Sequence, residues 1–167
     1  MDASTLRAAQ APLKERYRTD PAAARIPAIA AGDYRDPGVT ATVGGFAGLV
    51  RAGLHPAAGG DGEDACSADL LLQAILACAG VTLRAVATAM GVEIRSARLA
   101  ADGWWDARGT LAIDRDAPVG VRDIVVVIAV DTDADDAALA RLATATERYC
   151  VVGQSLAEPP EIRVVRL

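Results

Sequence analysis

Three cysteines are the side chains of this 167-residue chain best suited to covalent chemistry, and they are Cys66, Cys78 and Cys150. Their number is odd, no two are spaced as in a CxxC motif, and the single histidine, His55, completes no metal-ligand pattern. In a reducing compartment, a cysteine pair is more typical of redox or catalytic chemistry than of a structural disulfide. The cysteines therefore indicate thiol chemistry without a metal.

The positions of the cysteines leave the choice of nucleophile open. Cys66 is the obvious one by simple rules, because it precedes a long predicted helix whose free backbone N–H groups would lower a thiol pKa. Cys78 lies inside that helix, where a cysteine usually packs as a small hydrophobe. Cys150 follows a later helix, whose negative dipole end disfavours a thiolate, although Arg141 and Arg148 could offset this. Cys66 and Cys78 are 12 positions apart, about 18 Å along a helix, which is too far for a disulfide.

Two other features could belong to a site. His55 could act as a base, but a lone histidine in a loop rich in Gly and Pro is typical of a surface. Trp104 and Trp105 are adjacent on a predicted strand, so they point to opposite faces. At least one of them is expected in the core or at a dimer interface, and a ligand wall is the alternative.

Composition and charge narrow the classes of function. With 52% hydrophobic residues and a mean hydropathy of +0.24, the chain is expected to fold as one globular domain. It carries 17 basic and 22 acidic residues, a net charge of -5, and only 4% aromatic residues. This balance disfavours phosphate binding and base stacking, so neither nucleic acid nor an anionic membrane surface is an expected partner.

Neither a membrane span nor a secretory signal is predicted. The longest apolar stretch, residues 70–83, holds 14 positions, short of the roughly 20 that cross a bilayer. The amino terminus lacks the positive start and apolar centre of a secretory signal. We therefore expect a cytosolic protein.

The chain is predicted to begin with a segment outside the main domain. Residues 1–24 are predicted to form a helical amino-terminal arm, and residues 25–167 one domain. Alternation across residues 39–50 predicts a β-hairpin. The Ala- and Leu-rich residues 67–90 predict a central helix that ends at Gly91. Because this helix is apolar nearly all round, it must be covered on most sides.

The second half of the chain predicts further strands and one more helix. The strands are expected at residues 92–101, 111–113, 121–131 and 161–167, and the helix at residues 137–149. Residues 124–128 show no polar alternation, which predicts a strand covered on both faces. This order predicts an α+β fold in which a mostly antiparallel sheet wraps around helices.

Four segments, taken together, form a specific pattern. They are DLLLQAILAC ending at Cys78, PVGVRDI at 118–124, ERYC ending at Cys150 and SLAEPPEI at 155–162. Each segment is a weak signal alone, but their order and spacing resemble the OsmC and organic hydroperoxide resistance (OsmC/Ohr) family. The resemblance covers roughly residues 39–167.

This resemblance implies an intertwined α+β homodimer that reduces organic hydroperoxides with two cysteines. Cys78 matches the family's peroxidatic cysteine, and Cys150 matches its resolving cysteine. A thiol reductant such as a dihydrolipoyl protein would restore the thiols, and no metal or other cofactor is needed. A small apolar pocket beside the nucleophile would favour an organic peroxide over hydrogen peroxide.

The chain also departs from the family at two charged positions. Phe46 stands where the hydroperoxide-resistance branch has an arginine, and Ala68 stands where it has a glutamate. Arg16 and Arg18 in the arm are the candidate replacements that would stabilise the Cys78 thiolate, although such a run is usually a solvated helix face. The alternative function is an OsmC-like dimer without peroxidase activity that binds a small apolar ligand.

Overall fold

The computed structural model of the chain describes residues 2–45 and 48–167. The helices there are α1 (Ala3–Thr19), α2 (Ser67–Met90), α3 (Ala107–Thr110), α4 (Asp136–Tyr149) and α5 (Val151–Gln154). The strands are β1 (Ala31–Asp33), β2 (Thr40–Gly45), β3 (Gly48–Gly53), β4 (Ala65–Cys66), β5 (Ser96–Trp104), β6 (Arg122–Asp131) and β7 (Glu161–Arg166). This mixture of sheets and a long helix confirms the α+β prediction.

The chain divides into two compact units. The first unit comprises Met1–Pro27, Ile75–Ala101 and Val125–Leu167, and the second unit comprises Ala28–Ala74 and Asp102–Ile124. The strands form two sheets rather than the single one expected, in the orders β1-β2-β3-β4 and β5-β6-β7. Both sheets contain a parallel pair, β3 with β4 and β6 with β7. The β6–β7 pair is parallel because α4 and α5 carry the chain back between the two strands.

The predicted hairpin at residues 39–50 is confirmed in the second unit. Strands β2 and β3 pair antiparallel from Thr40 opposite Gly53 to Gly45 opposite Gly48. Gly48 has a φ of +106°, in the left-handed region that glycine adopts without steric cost. The pairing continues onto β1 on one side, so the hairpin forms the middle of its sheet.

Helix α2 has the predicted bounds and carries one fully buried face. Ile75, Ala79, Leu83 and Ala87 are buried at successive steps of four residues. The helix ends where Gly91 takes a φ of +70°, a left-handed conformation that closes helices.

By length and composition α2 could also cross a membrane, whereas the sequence analysis counted too few apolar positions. The difference arises because Ala and Val residues extend its apolar character to Met90. The core helix of a soluble protein meets the same criteria, although only 22% of the most apolar 18-residue stretch is buried here. Val81, for example, is 74% exposed, so α2 presents apolar surface that the described chain leaves open.

Strand β6 is covered less evenly than its sequence suggested. Ile124, Val126, Ile128 and Val130 are buried, whereas the residues between them are half-buried. One face of the strand therefore lies in the core and the other is only partly covered within this chain.

The strand predicted at residues 111–113 was wrong, because this segment is a turn. Ala112 has a φ of +56°, which no β-strand allows. The backbone N–H of Ile113 donates to the carbonyl of Arg108 at 2.8 Å and so closes the end of α3.

The amino-terminal arm is helical, as predicted, and continues through Pro12. Its α1 begins at a cap in which the Asp2 carboxylate accepts the backbone N–H of Thr5 at 2.8 Å. Neither α1 nor the 3-10 turn Pro21–Ala24 that follows it contains a buried residue. The domain boundary at residue 24 stays a prediction.

We expect Thr146→Val to stabilise the protein. Thr146 is fully buried in α4, and its hydroxyl oxygen has no hydrogen-bond partner among the described residues. Replacing an unpaired buried hydroxyl by a methyl group of the same size should raise the free energy of unfolding by about 1–2 kcal/mol. Urea denaturation measures the change.

The matched control is Thr144→Val in the same helix. The Thr144 hydroxyl is exposed and donates to the Ala140 carbonyl at 3.1 Å, so its loss should change stability by no more than about 0.5 kcal/mol. A loss of stability in Thr146→Val would contradict the packing described for α4.

Candidate active site

Cys78 and Cys150 lie in the first unit, at positions fixed by two different helices. Cys78 lies on α2 between the buried face and the surface and is half-buried. Cys150 is fully buried at the break between α4 and α5, with backbone angles of -72° and 98° that interrupt the helical path. Its backbone N–H still donates to the Thr146 carbonyl at 2.9 Å. The same residue therefore ends one helix and begins the next.

The sulfur of Cys150 is the amino-terminal cap of α5. It accepts the backbone N–H of Gly153 at 3.4 Å. A Cβ atom at Gly153 would lie 3.2 Å from Pro160 Cδ and 3.4 Å from Cys150 Sγ. Because Gly153 has no side chain, the backbone can pass close to the Cys150 sulfur.

The fold brings the two cysteines close enough to affect each other's pKa, although they are 72 positions apart in the chain. Burial by itself raises the pKa of Cys78. Hydrogen bonds from the backbone N–H of Val152, the Cys150 thiol, the Thr82 hydroxyl and the backbone N–H of Val151 outweigh burial. The pKa of Cys78 therefore lies below the ordinary range of a thiol.

The same contacts act in the opposite direction on Cys150. Burial has the largest effect and raises the pKa of its thiol. The backbone N–H of Gly153 lowers this pKa, and the neighbouring Cys78 sulfur raises it. The net pKa of Cys150 is raised. Of the two thiols, Cys78 is therefore the one that ionises more readily.

This arrangement suits two-step thiol chemistry. A partly exposed thiolate is a nucleophile that an electrophilic oxygen can reach. A neighbouring protonated thiol can condense with the sulfenic acid that such an attack leaves behind. The contact between Cys78 and Cys150 places both reactants together before the first step begins.

The other predicted site residues lie apart from this pair or have no described contact with it. Cys66 is half-buried in β4 and belongs to the second unit. Arg16 and Arg18 lie on the exposed α1, where Arg18 pairs with Glu15 at 3.1 Å. Neither arginine is among the groups with the largest effect on the pKa of Cys78. Their activating role stays a prediction.

Of the two residues that depart from the family pattern, the structure describes only one. Ala68 is half-buried in the first turn of α2, where it carries no charge. Phe46 lies outside the described residues.

His55 and the tryptophans have structural roles in the second unit. His55 Nδ1 accepts the backbone N–H of Ala57 at 3.0 Å, and its ring meets Trp105 edge-on with 5.5 Å between centroids. Trp105 is half-buried, and Trp104 donates its indole N–H to Asp123 at 2.5 Å. The His55 side chain therefore caps the turn that follows it.

A cavity of about 770 Å³ lies in the first unit, along α2. Its lining on α2 includes Gly80, Leu83 and Ala87. Neither Cys78 nor Cys150 lines the cavity, whereas Ala77, which is adjacent to Cys78 on α2, does. Within residues 2–45 and 48–167, no group of three or more His, Cys, Asp or Glu side chains could hold a metal ion.

The donors to Cys78 were not identified from the sequence, with one partial exception. Thr82 shares a helical face with Cys78 by its spacing of four residues, which a sequence shows. The N–H groups of Val151 and Val152 could not be anticipated, because their position depends on the break at Cys150.

Comparison with known proteins gives a consistent result. The family model described as OsmC-like protein matches residues 60–165. No curated protein matches the chain. A solved OsmC-like protein from Mycoplasma pneumoniae is 12% identical, with a TM-score of 0.67 over 85% of this chain and 95% of that one.

Two solved hydroperoxide resistance proteins are also similar. The organic hydroperoxide resistance protein OsmC from Legionella pneumophila is 14% identical, with a TM-score of 0.60 over 85% of this chain and 98% of its own. The organic hydroperoxide resistance protein OhrB of Bacillus subtilis is 16% identical, with a TM-score of 0.57 and the same coverage, 85% and 98%. At these identities the similarity concerns the fold, and it confirms the expected OsmC-like fold.

Proposed function

The chain belongs to the OsmC-like family, and on that premise we propose that it reduces organic hydroperoxides by thiol chemistry. The observation that carries the proposal is the contact between Cys78 and Cys150, with a lowered pKa at the first and a raised pKa at the second. Cys78 is the nucleophile because its thiolate is favoured and partly exposed. Cys150 is the resolving thiol because its pKa is raised, so that it ionises less readily than Cys78.

The reaction balances in two steps. The Cys78 thiolate attacks the terminal peroxide oxygen, the O–O bond breaks, and the alkoxide takes up a proton and leaves as an alcohol. The Cys78 sulfenic acid then condenses with the Cys150 thiol, which forms a disulfide and releases water. The peroxide is reduced by two electrons and the cysteine pair is oxidised by two. A dithiol reductant, such as a dihydrolipoyl protein, reduces the disulfide and closes the cycle.

The second candidate function is binding of a small apolar ligand without peroxidase chemistry. The cavity of about 770 Å³ favours it, because that volume suits a small molecule and the lining includes Leu76, Leu83 and Ile128. Neither cysteine lines this cavity. A protein that binds such a ligand and lacks turnover would support this candidate over the peroxidase.

We further propose that the protein is a cytosolic homodimer. The exposed Val81 and the half-covered face of β6 leave apolar surface that a second copy would cover. Sedimentation should show a dimer that persists on dilution to micromolar concentration. A folded monomer at that concentration would exclude an obligate dimer.

A slight excess of cumene hydroperoxide should convert the reduced protein to a Cys78–Cys150 disulfide. Peptide mapping by mass spectrometry identifies the link. Cys78→Ser should lower peroxide consumption by at least about a hundredfold, because it removes the nucleophile. Cys150→Ser should allow attack on the peroxide and then accumulate an oxidised Cys78.

The matched control is Cys66→Ser, which should leave both the disulfide and the rate unchanged. A link between Cys66 and Cys150, or oxidation confined to Cys66, would assign the nucleophile to Cys66 instead.

The arm is tested by the double substitution Arg16→Ala, Arg18→Ala. If these arginines stabilise the Cys78 thiolate, the pKa of Cys78 should rise in the variant by about 1–3 units. The peroxidase rate would then fall most near neutral pH and recover at high pH, where the thiol ionises without help. An unchanged pH–rate profile would show that the arm does not activate Cys78.

A further inference from the structure

Gly153 contacts the sulfur of Cys150 through its backbone. Its N–H donates a hydrogen bond to Cys150 Sγ at 3.4 Å. Gly153 is buried, and Cys150 is fully buried. Because burial disfavours the charged form of a thiol, a charge on this sulfur depends on the N–H donors that reach it. The Gly153 N–H is such a donor.

Pro160 closes the space on the other side of Gly153. A Cβ atom on Gly153 would lie 3.2 Å from Pro160 Cδ and 3.3 Å from Pro160 Cγ. Pro160 is buried and directly precedes β7, which pairs with β6 from Glu161 opposite Val125 onward. A proline ring at the start of a paired strand has little freedom to move. Gly153 therefore lies between an anchored ring and the Cys150 sulfur, in a space that a side chain would have to widen.

We propose that Gly153 is a catalytic residue whose backbone N–H stabilises negative charge on the Cys150 sulfur while this sulfur attacks Cys78. The proposal rests on the peroxidase function proposed above and concerns its second step. There the Cys150 sulfur bonds to the Cys78 sulfur, the Cys150 S–H bond breaks, and the sulfenic hydroxyl leaves with that proton as water. The attacking sulfur has thiolate character, and a charged acceptor strengthens a hydrogen bond from an N–H group.

Charged side chains do not take this role. Arg141 and Arg148 precede the break on α4, and both are exposed. Neither arginine is among the groups with the largest effect on the pKa of Cys150, and the N–H of Val152 lowers that pKa by less than the N–H of Gly153 does. The geometry thus leaves the Gly153 N–H as the principal donor to this sulfur.

The experiment follows the reduced full-length protein as it reacts with dithiobis(nitrobenzoate), an aromatic disulfide whose released thiolate is coloured. Cys66→Ser is present throughout, so that the two site cysteines react alone. Cys78 attacks the reagent, releases one coloured thiolate and keeps the other half as a mixed disulfide. Cys150 then attacks the Cys78 sulfur, which releases the second coloured thiolate and leaves the Cys78–Cys150 disulfide. The second phase of colour therefore measures the attack by Cys150.

Gly153→Ala should slow the second phase and leave the first unchanged. The added Cβ forces the N–H away from the sulfur, and the rate should fall by about fivefold, part of what a hydrogen bond to a charged group contributes. Adding Pro160→Ala to this variant should recover most of the rate, because it removes the Cδ and Cγ atoms that crowd the new Cβ. Pro160→Ala alone should change the second phase by less than about twofold.

Gln154→Ala is the matched control in α5. The Gln154 side-chain amide donates to the Glu147 carbonyl at 3.0 Å across the break. Its loss perturbs the same segment without touching the Cys150 sulfur, so both phases should keep their rates. An equal slowing of the second phase in Gln154→Ala would assign the effect to the segment and overturn the role of Gly153.

A second measurement serves if Gly153→Ala has a lowered melting temperature. Cys150→Ala removes the acceptor, so amide hydrogen exchange at Gly153 should become at least about fivefold faster than in the unaltered protein. Unchanged exchange would overturn the proposal.

The remaining outcomes separate this proposal from the proposed function. An unchanged second phase in folded Gly153→Ala, or no recovery on adding Pro160→Ala, would overturn the role of the N–H even in an active peroxidase. The reagent reaction needs no peroxide. A second phase that depends on Gly153, in a protein that fails to reduce cumene hydroperoxide, would support the N–H role and reject the peroxidase function.

Discussion

The break between α4 and α5 is the constraint on which the rest of the site depends. At Cys150 the backbone leaves the helical path, and its buried sulfur accepts the N–H of Gly153. If the helix continued, the N–H groups of Val151 and Val152 would be bonded within it and could not reach Cys78. The interruption thus does two things at once, because it places the Cys150 thiol beside Cys78 and leaves backbone N–H groups free near it.

Much of the secondary structure around this break could be predicted from the sequence alone. The bounds of α2 followed from its Ala and Leu content and from Gly91, and the β2–β3 hairpin followed from alternation across residues 39–50. The segment 111–113 was mistaken for a strand, because its apolar residues gave no sign of the left-handed Ala112. The pattern of apolar residues predicts helices and strands well where one periodicity dominates. It fails where hydrogen bonds at the end of a helix form a turn.

The site itself was predictable only in part. The pairing of Cys78 with Cys150 came from a resemblance in order and spacing, since no local rule relates positions 72 apart. Local rules favoured Cys66, which precedes α2 but belongs to the other unit. Charged residues were the expected activators, whereas the groups that lower the pKa of Cys78 are a hydroxyl, a thiol and two backbone N–H groups. Backbone donors carry no signature in a sequence, because every residue except proline has one.

The neutral character of these donors has a consequence for the conditions in which the site works. An exposed ion pair weakens as dissolved ions accumulate, since the Debye length falls from about 10 Å at 0.1 M to about 3 Å at 1 M. Neutral dipoles beside a half-buried sulfur carry no net charge that dissolved ions could screen in this way. The effect of these neutral neighbours on the pKa of Cys78 should therefore change little with ionic strength.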